Sequence, residues 1–275
     1  MADGPDDPDG HAPSGAVPHE PDGSRSSGPS RAGRLEHLGR EGLESGVDAL
    51  GWAARSLTPA WQRATEMESR GPASVAIGVA IVLRLALPLE FTINPWWAIP
   101  AIEVPLLIGL LLANPRQVDG RSAWLRNGSL VLIGVLTATN TWSAFKLIRG
   151  LLHGGNYDAT RLLATGGAIW LTNTIAFALW YWEFDRGGPG RRSAGTSKFP
   201  DFLFPQMASP ELAPPDWKPL FVDYFYLSFT NATAFSPTDV MPMSRWTKMM
   251  MMLQSSVSLV TIALVIARAV NIFRG

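Results

Sequence analysis

An apolar run of about twenty residues admits few backbone solutions, and this chain carries several such runs. Residues 246–273 are dominated by Leu, Val, Ile, Ala and Met. At 1.5 Å rise per residue a helix of that length exceeds the ~30 Å hydrocarbon layer of a bilayer. Comparable runs occupy 74–93, 98–114, 128–148 and 161–182. Backbone polar groups in hydrocarbon must be satisfied within the segment, which selects helices. The segment 220–235 is shorter, about 24 Å as a helix, and is expected either to span or to re-enter. The reading is an all-α, polytopic membrane helix bundle of about six membrane segments, the fifth short or re-entrant.

Composition agrees and removes other classes. The chain of 275 residues is 47% hydrophobic and 17% charged, against about 25% charged in soluble proteins. Formal net charge is zero, so no nucleic-acid footprint is expected. The absence of cysteine removes disulfides, thiolate metal sites and Cys nucleophiles. His11, His19, His37 and His153 are isolated in sequence, and no metalloprotease, nucleophile-elbow, phosphate-loop or EF-hand pattern occurs. No catalytic residue, metal or cofactor is expected, and the chain is not read as an enzyme.

Five regions follow from the pattern. Residues 1–30, rich in Gly, Pro, Ser and Asp, cannot bury enough apolar surface to offset chain entropy and are expected to be a disordered acidic tail. Nor do they have the layout of a signal peptide. Residues 31–73 show near-helical apolar spacing weakened by glycines, as an interfacial amphipathic helix or a marginal cytoplasmic one. Residues 74–183 form a four-span membrane domain. Residues 184–219 form a Pro/Gly-rich loop whose aromatics, Phe199, Phe202, Phe204 and Trp217, hold it against the interface. Residues 220–275 form a helix–turn–helix.

Two spans carry one charge each. Arg84 lies ten residues before Asn94 and Glu103 nine after it, so a hairpin turning at Asn94-Pro95 sets them at one depth. A lone charge at mid-bilayer costs at least ~2.5 kcal/mol, and the two are expected to pair and fix the hairpin register. The third and fourth spans share a triplet, Thr139-Asn140-Thr141 and Thr172-Asn173-Thr174, read as small polar groups that join helices. In the last span Gln254, Ser258, Thr261 and Arg268 fall on one helical face. Such a stripe suits a pore-lining inner helix or a packing seam. On the preceding segment Asp223, Tyr226, Thr230 and Thr233 share a face expected to meet protein or water.

Residues 221–242, FVDYFYLSFTNATAFSPTDVMP, carry a resemblance. An aromatic-Ser-Phe-Thr helix end, a hydroxyl-rich break, Asp-Val-x-Pro and a long helix resemble the pore module of tetrameric cation channels. The resemblance implies a tetramer conducting monovalent cations, with Thr230, Asn231, Thr233, Ser236, Thr238 and Asp239 at the filter. Ala234-Phe235-Ser236-Pro237 replaces the filter glycines that let carbonyls point inward, so a potassium-type filter is not expected. The plainer reading of Ser236-Pro237-Thr238-Asp239 is a turn and helix start. The segments YWEFDRGGPG, DYFYLSFTNATAFSPTD and RAVNI also resemble a bacterial multi-span membrane family of unknown function over residues 74–273, a likeness that implies no activity.

Lysine and arginine set the orientation. With the N-terminus inside, the loops holding Arg116, Arg121, Arg126, Arg186, Arg191, Arg192, Lys198 and Lys218 are cytoplasmic. Six spans then place both termini in the cytoplasm of a multi-pass plasma (inner) membrane protein. Re-entry from outside, as in the channels, would leave five spans and an external N-terminus, against the charge count. Two functions are expected in competition. One is a channel-like permeation protein built from several copies. The other is a non-conducting scaffold or interaction protein, with the bilayer as its main partner.

Overall fold

Helix dominates the chain, as the apolar runs require. The computed structural model describes residues 60–112, 122–154, 157–197, 199–233 and 239–274. The tail 1–30, most of the segment 31–73, the loop 113–121 and the break 234–238 lie outside them. The main helices are α1 (Gly71–Leu85), α2 (Pro100–Leu112), α3 (Ser122–Leu152) and α4 (Ala159–Phe184). Two short helices follow, α5 (Pro189–Ser193) and α6 (Pro205–Ala208), then α7 (Phe221–Thr233) and α8 (Arg245–Arg274).

Three helices are long and apolar enough to cross a membrane, over Trp124–Leu152, Ala159–Gly187 and Arg245–Ile272. Gly71–Leu85 and Pro100–Leu112 are apolar but shorter, so three of the six expected membrane segments have spanning length. The run expected to continue helical to residue 93 stops at Leu85. Pro88 explains this: it lacks an N–H and disfavours helix in the residue before it. Arg84 therefore lies in the last turn of α1 and Glu103 in the first turn of α2. The pair sits at the tip of the hairpin rather than at the middle of two spans.

Helix α4 is the hub, packed against α1, α3, α7 and α8. Its apolar window is 67% buried, against 22% for α8. The two run antiparallel, with Phe184 beside Trp246, Tyr181 bonded to Gln254, Asn173 bonded to Ser258, and Gly166 against Val265. A Cβ on Gly166 would lie 2.8 Å from the Val265 side chain, so this approach requires glycine. One core gathers around Ile175–Trp182, with Trp61, Phe202, Phe204, Phe221 and Tyr224. A second lies at the other end, around Phe91, Leu147, Leu151, Leu162 and Ala269.

These contacts define two ends. The entry end holds Arg70, which donates to Ser129 of α3 and lies over the Trp182 ring. From it α1, α3 and α8 run to the far end, while α2 and α4 return. Helix α7 behaves differently. Phe221 sits against Trp182 at the entry end, and Ala232 accepts from Trp170 Nε1 deeper in the bundle. After the break, Met241–Pro242 (β2) pair antiparallel with Phe202–Leu203 (β1), and Met243 N donates to the Asp201 carbonyl. The chain thus comes back to the end where α7 began, and α8 starts there. The β1–β2 pairing brings residues 241–242 to the end where α7 starts, a placement that apolar length alone does not give.

Candidate functional site

The polar stripe of α8 faces the interior of its own chain. Gln254, Ser258 and Thr261 are buried. The Gln254 side-chain oxygen accepts from Tyr181 Oη at 2.7 Å and Asn231 Nδ2 at 2.8 Å. Its amide donates to the Ser228 carbonyl at 2.8 Å and to Ser228 Oγ at 2.7 Å. Ser228 Oγ in turn donates to the Thr174 carbonyl. Four bonds saturate the amide and tie α4, α7 and α8 together. Ser258 Oγ accepts from Asn173, Thr261 donates to its own helix at Val257, and Arg268 is half-buried near the far end. Asn140 and Asn173, one from each repeated triplet, both bond across helices.

Of the residues expected at a filter, those described bond within their own chain. Thr230 Oγ1 donates to the carbonyls of Tyr226 and Leu227, and Thr233 Oγ1 to that of Thr230. Asn231 Nδ2 is held by the Met251 carbonyl and Gln254. Ser236 and Thr238 lie outside the described residues. Asp239 is exposed, with Tyr226 Oη donating to it at 3.4 Å. Arg84 Nη1 and Glu103 Oε1 come together at 2.7 Å, with Glu103 wholly buried.

The densest chemistry is at the entry end, where α4 leaves the bundle. Asp185, fully buried, accepts from Tyr224 Oη at 2.6 Å, Arg186 Nε at 3.3 Å and the amides of Asp201 and Phe202. Arg186 adopts φ 52°, a left-handed conformation that costs a non-glycine residue ~1–2 kcal/mol. It is held there by its N–H on Asp201 Oδ2, its Nη1 on the Trp61 carbonyl, and Ser197 Oγ on its own carbonyl. Gly188 follows at φ 97°, where a Cβ would stand 2.9 Å from the Glu183 carbonyl oxygen.

Glu68 links three elements. Its carboxylate accepts from Trp182 Nε1 at 2.7 Å and from the amide of Phe221, the first residue of α7, at 2.5 Å. Arg192 Nη2 lies 3.8 Å away. Burial pushes the Glu68 carboxyl above its ordinary range, opposed by those two donors and by the Arg192 charge. Arg70 and Arg192 each place a guanidinium 5.9 Å from the Trp182 ring, and Arg192 also stacks on Tyr224. Glu183 is fully buried and neither of its oxygens accepts a hydrogen bond from the described residues. The charges of Arg70, Arg192 and Arg126 act on it, and each of these arginines also has a buried nitrogen without an acceptor among the described residues. Bridging water would match such donors and acceptors.

The sequence pattern gives 184–219 only as a Pro/Gly-rich loop held against the interface and does not reveal this network, in which Glu183, Asp185, Arg186 and Arg192 are all buried. The run Asp185-Arg186-Gly187-Gly188-Pro189 was the available signal, because acids and bases interleaved with glycines suit a tight, internally bonded turn. Beside it a small surface pocket is lined by Trp61, Glu68, Arg186, Arg192, Ser193 and Lys218 among others. Among the described residues no cluster of His, Asp or Glu is arranged to hold a metal ion. Comparison with protein-family models, curated proteins and solved structures finds no match.

Proposed function

We propose that this chain is an integral membrane protein of the plasma (inner) membrane that acts as a non-conducting scaffold or interaction protein. Helices α1, α2, α3, α4 and α8 cross, and α7 dips in from the entry end. At 15 and 13 residues, α1 and α2 amount to ~20–22 Å each and cross with local thinning of the bilayer or with help from flanking residues. Arg63, Arg70, Arg126, Arg186, Arg191, Arg192, Lys218, Arg245 and Lys248 gather at the entry end, which supports a cytoplasmic location for that end. Five crossings put residue 274 on the opposite side, in place of the expected cytoplasmic C-terminus.

The observation that carries the reading is the closure of the Gln254–Ser258–Thr261 stripe within one chain. A face saturated by its own neighbours offers no lining to a shared axis. The experiment is ion flux: purified protein in planar bilayers or liposomes, tested with monovalent cations, is expected to give no conductance. A current that Asp239→Ala alters would replace this reading with the channel-like one. One observation favours that second reading, the return of the chain after α7 to the end it entered from, which has the helix–break–helix order of a pore module.

A further inference from the structure

We propose that the pocket beside the Asp185–Pro189 turn binds a phosphate group, carried by a lipid headgroup or free in solution. Trp61, Arg186, Arg192 and Lys218 supply its donors. The lipid source rests on the membrane reading above; the site itself stands whether or not the chain conducts ions.

What the pocket lacks identifies its guest. Two of the residues lining it keep a buried side-chain nitrogen with no acceptor among the described residues, Trp61 Nε1 and Arg192 Nη2. Trp61 is 9% exposed and Arg192 7%. No lining residue has a buried side-chain oxygen in want of a donor. Indole and guanidinium groups donate and do not accept. Buried donors left unmet are costly and call for an explanation. A guest that brings acceptor oxygens satisfies both nitrogens, whereas an amine or an apolar group satisfies neither.

The donors are also held in place. Arg192 Nη1 donates to the carbonyls of Trp182 and Asp185, and its guanidinium lies 5.1 Å from the Tyr224 ring. Nη2 is the end left over, with Glu68 Oε2 3.8 Å away and beyond hydrogen-bond reach. The Arg186 guanidinium lies 5.6 Å from the Trp61 ring, and its Nη1 donates to the Trp61 carbonyl. The φ of 52° at Arg186 is backbone strain of the kind that gathers at ligand sites. Thr65 N donates to the Ser193 carbonyl at 2.8 Å, which ties segment 61–68 to α5. A guest entering here orders little that is not already ordered.

Charge and place agree. Three bases line the pocket, Arg186, Arg192 and Lys218, against Glu66 and Glu68. Both Glu68 oxygens are engaged, by Trp182 Nε1 and the Phe221 amide, and Glu66 is exposed. Lys218 is half-buried and uses one donor on the Glu66 carbonyl at 2.7 Å, leaving two. On the membrane reading the entry end lies at the cytoplasmic headgroups, where basic pockets take lipid phosphates.

The test uses the full chain, in neutral detergent and in phosphatidylcholine nanodiscs, with melting temperature as readout. The probes are inorganic phosphate, titrated against chloride at constant ionic strength, and phosphatidylglycerol added to the nanodiscs. A saturable rise is expected, unlike the general salting effect of phosphate. A rise with inorganic phosphate assigns a free phosphate; a rise with phosphatidylglycerol alone assigns the headgroup. Trp61→Phe keeps an aromatic ring and the main chain but removes the N–H. It is expected to weaken binding about tenfold, while the protein without probe melts no lower than wild type. Glu66→Gln is expected to tighten binding about twofold. A purely structural Trp61 would leave the affinity unchanged. Should Trp61→Phe fail to fold, Lys218→Gln decides, with a loss of about threefold or more expected. No saturable rise with either probe overturns the proposal, as does wild-type affinity in Trp61→Phe or, in its place, Lys218→Gln.

Discussion

Arg84 and Glu103 meet because the two are nearly equidistant from the turn at Asn94-Pro95, and among the described residues each is the other's one partner of opposite charge. Removing one partner from such a pair leaves a buried charge and costs about 3–5 kcal/mol, whereas replacing both is far milder. Arg84→Ala is therefore expected to lower thermal stability strongly, and Arg84→Met with Glu103→Leu to recover most of it; a thermal melt of wild type and these two variants in detergent checks this. Glu68 gives a pH dependence. Its folded carboxyl holds a proton more tightly than the ordinary value of 4.5 because burial disfavours the charged form. The native state then binds more protons than the unfolded chain just above pH 4.5, so this residue's contribution to stability falls as pH rises through that window. Glu68→Gln is expected to flatten the fall, seen as a smaller pH slope in the melting temperature just above pH 4.5. An unchanged slope would locate the effect elsewhere.

At the scale of elements, the long helices were legible and their mutual placement was not. Apolar length marked α3, α4 and α8. It overran α1, where Pro88 ends the helix, and it left α7 ambiguous. The α4–α8 contact depends on Gly166, whose missing Cβ admits Val265. Gly166→Ala is expected to destabilise by about 1–3 kcal/mol through overpacking, and Val265→Ala to offset it. A melt in which the double variant is no better than Gly166→Ala would show that the helices part at this point. The α8 stripe follows the same lesson. Helical spacing put Gln254, Ser258 and Thr261 on one face, but the neighbours that face meets are Tyr181, Asn173 and Ser228, drawn from segments far apart in sequence.

For the whole molecule, the return of the chain after α7 has a topological consequence. Cysteines introduced at Leu220 and Met243 are expected to react with an impermeant maleimide from one side of oriented vesicles, and one at the C-terminal Gly275 from the other. Labelling of Leu220→Cys and Met243→Cys from opposite sides would mean that 220–235 crosses.

Composition and apolar length by themselves determined that this chain is helical, that its long runs match a bilayer, and that Arg84 and Glu103 stand level across a hairpin. These depend on counting along the chain, because rise per residue and turn position are local properties. Tertiary structure alone decided that residues 241–242 lie at the end where α7 starts, that the α8 stripe closes on its own protomer, and that Glu183, Asp185, Arg186 and Arg192 are buried. Burial of a charge depends on which distant segments cover it. Here Trp61, Glu68, Asp201 and Tyr224 arrive from separate parts of the chain to do so, and no local pattern encodes that convergence.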